Sequence, residues 1–265
     1  MNSATYIHGT DADEQGRLAK LGQLTDAAFV RFLELEDRSR VLDVGSGLGN
    51  LARQVAGLVP RGEVWGVEQS AEQLAQARSD LPNLHFRQAD AHALPFDEGC
   101  FDVVYCRYLL EHLANPVQGL REMRRVSKPG GKVFVQENNI LVSILEPRCP
   151  CFDSIWQRFA LLQALLGGDA LIGKKLLRLM QEAGFLQVRL SIQPEVHHSG
   201  SPTFRPWIEN LIGNIRGAEQ AFQSHELATK QEIDQAVGEL RAFTERDDAS
   251  AFFYWNRGSG VKESE

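Results

Sequence analysis

The sequence predicts an α/β fold, a parallel sheet covered by helices, and three observations carry that reading. Short apolar runs alternate with helix-period segments from Arg40 to Gln193, the pattern of strands joined by crossover helices. Phe101–Cys106 is apolar on both faces, as a central parallel strand should be. The run at Val41–Gly45 ends in glycines at alternate positions, Gly45, Gly47 and Gly49, immediately before a helical segment.

The elements follow in order. Val41–Gly45 is the first strand and Leu48–Leu58 the first helix after it. Glu63–Val67 is the second strand, and Ser70 caps a helix over Ala71–Ser79, since a serine oxygen can accept from the free N–H groups of a first turn. Leu84–Gln88 and Phe101–Cys106 are the third and fourth strands. Pro116–Val126 has helical spacing with proline in the first turn, where a missing N–H costs nothing. Lys128–Gly131 is a turn, Lys132–Glu137 the fifth strand, Ile172–Ala183 a helix stopped by Gly184, and Phe185–Ile192 the sixth strand. The rhythm then breaks. Residues 194–249 hold helical stretches around Trp207–Gln223 and Lys230–Phe243, and Ser250–Trp255 is a final aromatic strand. A second interruption, 139–171, carries an amphipathic piece at Phe152–Leu166. We read 1–265 as a single domain: a helical cap over 1–39, a core over 40–138, and helical insertions at 139–171 and 194–249.

Composition narrows the function. A chain of 265 residues that is 43% hydrophobic and 24% charged can bury a core without disulfide or metal staples. No apolar run reaches the roughly 18–20 residues of a membrane span, and the polar, acidic segment before Gly16 does not read as a secretory signal. Lys and Arg total 28 against 35 Asp and Glu, a net charge of −7. That balance argues against a broad nucleic-acid face, which needs clustered bases. Four cysteines in such a chain fit a reduced, cytoplasmic protein. Cys149-Pro-Cys151 lacks the usual zinc spacing, so no metal is expected.

The glycine loop allows a tight turn and close approach of a ligand to the backbone, although its spacing is not that of dinucleotide binders. Glu68 lies nineteen residues beyond Gly49 at the end of the second strand, where a carboxylate can accept from both hydroxyls of an adenosine ribose. Asp90-Ala91 follows the third strand and could meet the adenine amino group.

These residues resemble class I S-adenosylmethionine-dependent methyltransferases. The resemblance rests on the Asp43–Gly49 loop, Glu68, Asp90-Ala91-His92-Ala93-Leu94-Pro95-Phe96, Phe101-Asp102-Val103-Val104, Leu110-Glu111-His112-Leu113, and Arg124-Arg125-Val126 before Lys128-Pro129-Gly130-Gly131. It covers Tyr6–Glu137 well and the rest weakly, and is closest to the small-molecule, ubiquinone/menaquinone-type branch. It implies a Rossmann-like, mostly parallel sheet of seven strands, the last antiparallel, with helices on both faces and the insertions acting as a substrate lid. It also implies S-adenosyl-L-methionine as cofactor, S-adenosyl-L-homocysteine as product, and methyl transfer to a small or medium-sized organic acceptor by in-line displacement at the sulfonium methyl.

Carried onto this chain, the resemblance places Gly45, Ser46 and Gly47 along the methionine part of the cofactor, with Asp43 orienting the loop or a water near its amino group. Glu68 holds the ribose, Gln69 lies beside the adenine, and Asp90 and Ala91 meet it. Cys106 and Arg107 pass the methionine end, where Arg107 or Arg17 could pair with the carboxylate. Tyr6 joins the cofactor site through an N-terminal entry, Tyr6-Ile7-His8-Gly9 followed by Glu14-Gln15 and Arg17-Leu18, that also resembles this branch. His112, His8 and Tyr6 are the candidate bases, needed only if the acceptor must lose a proton. Plainer readings stand beside these. Asp90 could be a helix cap, Arg107 a structural ion pair and His112 a packed residue. Trp156, Phe159, Phe204 and Trp207 could be insertion core or pocket wall. A regulator that binds the cofactor without turnover, and a protein or nucleic-acid methyltransferase, are the rival functions; a homo-oligomer stays open.

Overall fold

The computed structural model describes residues 12–77, 79 and 81–264. In chain order they form α1 (Ala12–Phe32), β1 (Arg40–Val44), α2 (Asn50–Leu58), β2 (Glu63–Glu68), α3 (Ala71–Gln76), β3 (Leu84–Gln88), β4 (Phe101–Arg107), α4 (Pro116–Val126) and β5 (Ser127–Glu137). Then come β6 (Ile144–Glu146), α5 (Pro150–Leu165), α6 (Leu176–Glu182), β7 (Leu186–His198), α7 (Phe204–Gly217), α8 (Glu219–Ser224), α9 (Lys230–Thr244) and β8 (Ser250–Val261).

The sheet runs β3-β2-β1-β4-β5-β8, with β7 on the far side of β8. β1 to β5 pair in parallel, and β8 lies antiparallel between β5 and β7. The antiparallel last strand is as expected, but the described residues form eight strands, not seven. β8 outruns β5: their pairing starts at Glu137–Asn256, and the short β6 covers the bare edge of Ser250–Phe252.

Side chains alternate across the sheet because the strand period is two. Val41, Val103 and Tyr105 pack with Phe29 of α1 and Val55 of α2. Leu42, Val44, Val104 and Cys106 point the other way, onto Leu120 and Met123 of α4 and Met180 of α6. A third core belongs to the C-terminal part, where α5, α7, α8 and α9 close over Ala251, Phe253 and Trp255 of β8.

Several boundaries differ from the sequence reading. The Ala71–Ser79 helix ends at Gln76, where Ala77 turns extended. Trp207–Gln223 is two helices that meet at Ala218. Ile172–Ala183 opens with a 3₁₀ turn over Ile172–Lys175. The Lys128–Gly131 turn lies inside β5 as a bulge: Gly130 has φ 72°, and Lys262 bonds to both sides of it. β7 continues to His198, so the second insertion begins after it rather than at Pro194. Pro194 is tolerated there because β7 pairs on one side only, and an outward position needs no N–H.

Candidate active site

β1 delivers the chain into the glycine loop, where Gly45, Gly47 and Gly49 have φ of 79°, 53° and 76°. Side chains resist that region, and the three glycines differ in what surrounds them. A Cβ on Gly49 would lie 2.3 Å from the Phe86 ring, and one on Gly45 would lie 3.0 Å from Leu109. A Cβ on Gly47 would meet only Gln73 Oε1, at 3.8 Å, so Gly47 borders open space. Gly45 and Ser46 donate to the Val67 carbonyl at 2.8 and 2.9 Å, tying the loop to β2. Glu68, at the end of β2, secures it further. Its Oε2 accepts from the Gly47 N–H at 3.1 Å and its Oε1 from the Ser70 N–H at 2.9 Å. Each oxygen keeps a lone pair for a ligand.

Asp43, Tyr105 and Arg107 share one face of the sheet by strand parity. Burial lifts the Asp43 carboxyl to about 7; Glu68 and Asp26 add to the rise, and Tyr105 and Arg107 oppose it. Arg107 Nη2 donates to Asp26 Oδ1 of α1 at 2.6 Å, and Nη1 reaches the Thr25 hydroxyl at 3.3 Å. Gln54 holds the other Asp26 oxygen at 2.7 Å. The plainer reading of Arg107, a structural ion pair, describes its partners in this structure. Cys106 corrects the sequence reading: its side chain points to the opposite face, fully buried with Leu42 and Val104, and is absent from the cavity wall. Burial pushes its thiol well up. Tyr6 and His8 lie outside the described residues, as does the side chain of Arg17.

Asp90 is not a helix cap. Its Oδ1 accepts from the His92 N–H at 2.8 Å and meets His92 Nδ1 at 2.7 Å, a turn made by the side chain itself. Partial burial raises its carboxyl, but the His92 hydrogen bonds outweigh that and hold it below the ordinary range. Ala91 and Gln69 stand beside it on the wall of the same cavity.

That cavity, about 1490 Å³, runs from the glycine loop to the insertions. Helix spacing sets its far walls. Trp156, Phe159 and Gln163 form one face of α5, and Trp207, Asn210, Leu211 and Asn214 one face of α7; Phe253 and Trp255 of β8 close the end. Trp156, Phe159 and Trp207 are thus both core and wall, whereas Phe204 packs on Phe243 at 5.6 Å and is core alone.

His112 reaches the cavity from a 3₁₀ turn over Leu110–His112. Glu111 beside it is the residue that sequence reasoning missed. It is 5% exposed; its Oε1 accepts from Asn138 Nδ2 at 2.6 Å and its Oε2 from Gln163 Nε2 at 3.0 Å. Its signal lay inside the Leu110-Glu111-His112-Leu113 motif, hidden because a glutamate beside a histidine gives no hint of burial.

The residues fit an adenosine cofactor with a cationic amino-acid tail. Ser46 Oγ is buried with no partner, Gly47 leaves space, and the Glu68 and Asp43 carboxylates face the cavity. Comparison with known proteins agrees. Residues 42–135 match the family described as Methyltransferase domain. An uncharacterized methyltransferase of Schizosaccharomyces pombe is 28% identical over 226 residues, 81% of each chain. The demethylmenaquinone methyltransferase of Chlorobaculum tepidum is 38% identical over 105 residues, 40% of this chain and 43% of that one, so the match spans less than half of the quinone enzyme. A solved Haemonchus contortus phosphoethanolamine N-methyltransferase, in complex with S-adenosylhomocysteine, shares the fold: its TM-score is 0.56 at 21% identity, covering 94% of this chain and 53% of that one. With this sheet order, this glycine loop and these relatives, residues 42–135 are a methyltransferase domain, and the chain is similar to the class I S-adenosylmethionine-dependent methyltransferases.

Proposed function

We propose that the chain transfers a methyl group from S-adenosylmethionine to a small or medium-sized organic acceptor. One observation carries the reading: a single cavity joins the glycine loop and Glu68 to the walls of α5, α7 and β8. One drug-sized ligand fills about 300–1,000 Å³, so about 1490 Å³ has room for a cofactor and an acceptor together. When bound, the cofactor supplies a methyl group already activated by its sulfonium. The chain therefore has to align and enclose more than to activate, and orientation alone can lower a barrier by about 7–11 kcal/mol.

Glu68 would accept the ribose hydroxyls on the lone pairs that Gly47 and Ser70 leave free. Gly45, Ser46 and Gly47 would border the methionine part. Asp43 would accept from the amino group, and Gln69, Asp90 and Ala91 would flank the adenine. Arg107 acts through Asp26, holding α1 as a wall of the cavity. His112 stands where a proton could be taken from an acceptor. The helices of both insertions exclude water from the far half.

The test has two parts. Calorimetric titration with S-adenosylhomocysteine should show one site, and labelled methyl from the cofactor should appear in a component of a metabolite extract. Absence of binding would remove the reading altogether. Binding without transfer across the extracts would point to a cofactor-responsive regulator.

A further inference from the structure

Resting on the methyl-transfer reading, we propose that the acceptor is an organic amine bound as its cation, with Glu111 as counter-ion inside an aromatic chamber. Glu111 lines the cavity yet is 5% exposed, and the donors on its two oxygens are the neutral amides of Asn138 and Gln163. Amides orient a carboxylate without neutralising it. A buried carboxylate is ordinarily paired with a cation, and here His112 Nε2 lies 3.8 Å away, a cation only when its ring is protonated. The buried Glu137 carboxyl lies close enough that burial and the Glu111 charge push it well above the ordinary range. Glu137 is thereby held as the neutral acid, and Glu111 is the carboxylate that lines this pole of the cavity.

The walls suit the same ligand. Trp156 and Phe159 stack at 5.2 Å, Tyr108 and Trp255 lie 4.6 Å apart, and Phe253 and Trp255 meet edge to face at 4.7 Å. Aromatic faces attract organic cations when water is excluded. Gln163 sits on the α5 face that carries Trp156 and Phe159, so its hydrogen bond holds Glu111 beside them. Among the described lining residues, arginines supply the basic side chains: Arg107 is taken by Asp26, and Arg53 lies in α2 below the glycine loop. Nothing basic on α5, α7 or β8 lines the chamber to receive an anion. Trp207 adds a second recognition point, because its Nε1 is buried in that wall with no acceptor. The amine would carry a lone-pair atom, such as a hydroxyl oxygen, to take that N–H.

The chemistry balances. The bound ammonium gives one proton to Glu111, and the freed nitrogen lone pair forms the new C–N bond. The C–S bond breaks with its electron pair left on sulfur. The N-methylated ammonium keeps one positive charge, and Glu111 returns its proton to water after product release.

The experiment uses the full chain saturated with S-adenosylhomocysteine. It compares tyramine with para-ethylphenol, which lacks the ammonium group, by tryptophan fluorescence and calorimetry. Tyramine should bind at least about tenfold more tightly, a difference of about 1.4 kcal/mol, and Glu111→Gln should erase the difference while leaving cofactor-product affinity unchanged. The wild-type comparison stands by itself if the variant does not fold. Equal binding of the phenol, no tyramine binding to the saturated protein, or a preference unmoved in a folded Glu111→Gln would overturn the proposal and leave the cofactor site standing. Failure of S-adenosylhomocysteine to bind would instead remove the underlying methyl-transfer reading.

Discussion

At the glycine loop the cavity wall is main chain: three left-handed glycines, two N–H groups on the Val67 carbonyl and one on Glu68. Across the cavity the wall is side chain, with indole and phenyl faces from α5, α7 and β8 and amides that grip Glu111. The first half can be altered little, because backbone geometry there is set by strand register and by residues that tolerate positive φ. The second half can be altered at every helix turn without moving the sheet. A fold divided in this way can hold the glycine loop fixed while the opposite wall changes, and each half should fail in its own manner.

The division breaks most sharply at Gly47. Gly47→Val puts a side chain into the open space of the cavity at φ 53°. S-adenosylhomocysteine binding should fall below detection by calorimetry while circular dichroism stays near wild type. A variant that still binds would show that the loop is not the cradle.

Asp43 should dominate the pH response of the cofactor half. Its carboxyl titrates near 7 in the fold and near 4 in an unfolded chain. Between those values the folded chain holds a proton that the unfolded chain has released, so stability falls as pH rises, by up to about 4 kcal/mol. Urea unfolding at about pH 5 and pH 8 should show this slope, and Asp43→Asn should flatten it. A slope unchanged in Asp43→Asn would assign it to other groups.

Glu68→Ala should weaken S-adenosylhomocysteine binding by about 2–4 kcal/mol, or about 30- to 1000-fold. Part of that loss comes from releasing Gly47 and Ser70. Titration at unchanged affinity would remove Glu68 from the site.

Trp207→Ala sharpens the comparison from the other side. Acceptor use should weaken at least about tenfold, while cofactor affinity shifts by less than about 1 kcal/mol, since distant sites add nearly independently. A matched loss of both would mean that the two halves are one unit.

His197 gives the smallest effect, of opposite sign to Asp43. It stacks on Trp207 at 4.5 Å, and burial lowers its ring to about 4. Below its ordinary value of 6.5 the unfolded chain gains the extra proton, so stability falls as pH drops from about 6.5 to about 4. Solvent screening limits this to about 1–2 kcal/mol. His197→Gln should remove that acid limb from the unfolding midpoints and leave the Asp43 slope in place.

The cofactor half was legible in the sequence because its signals are local. The loop, Glu68 and Asp90 each follow a strand, and strands show as apolar runs. Parity was less accessible: Cys106 and Arg107 are neighbours in sequence, yet one faces the α4 core and the other Asp26. The remaining walls depend on partners far apart in the chain, such as Gln163 with Glu111 and Arg107 with Asp26, separated by 52 and 81 residues. No periodicity reports such pairs. β6 and the last turns of β7 were missed for the same reason, since both exist to pair with Ser250–Tyr254.

The position of β8 between β5 and β7 also bears on how the molecule is made. Translation delivers the chain from its N-terminus at about 5–20 residues per second, and β8 is the final strand among the described residues to emerge. β1 to β5 can pair among themselves before it arrives, but β6 and β7 both wait for it. Until then β7 has no strand partner among the described residues, and its Leu190, Ile192 and Val196, half exposed even in the finished fold, are open to other chains. A ribosome halted before Ser250 would hold a nascent protein with its glycine loop shaped and its aromatic chamber unbuilt.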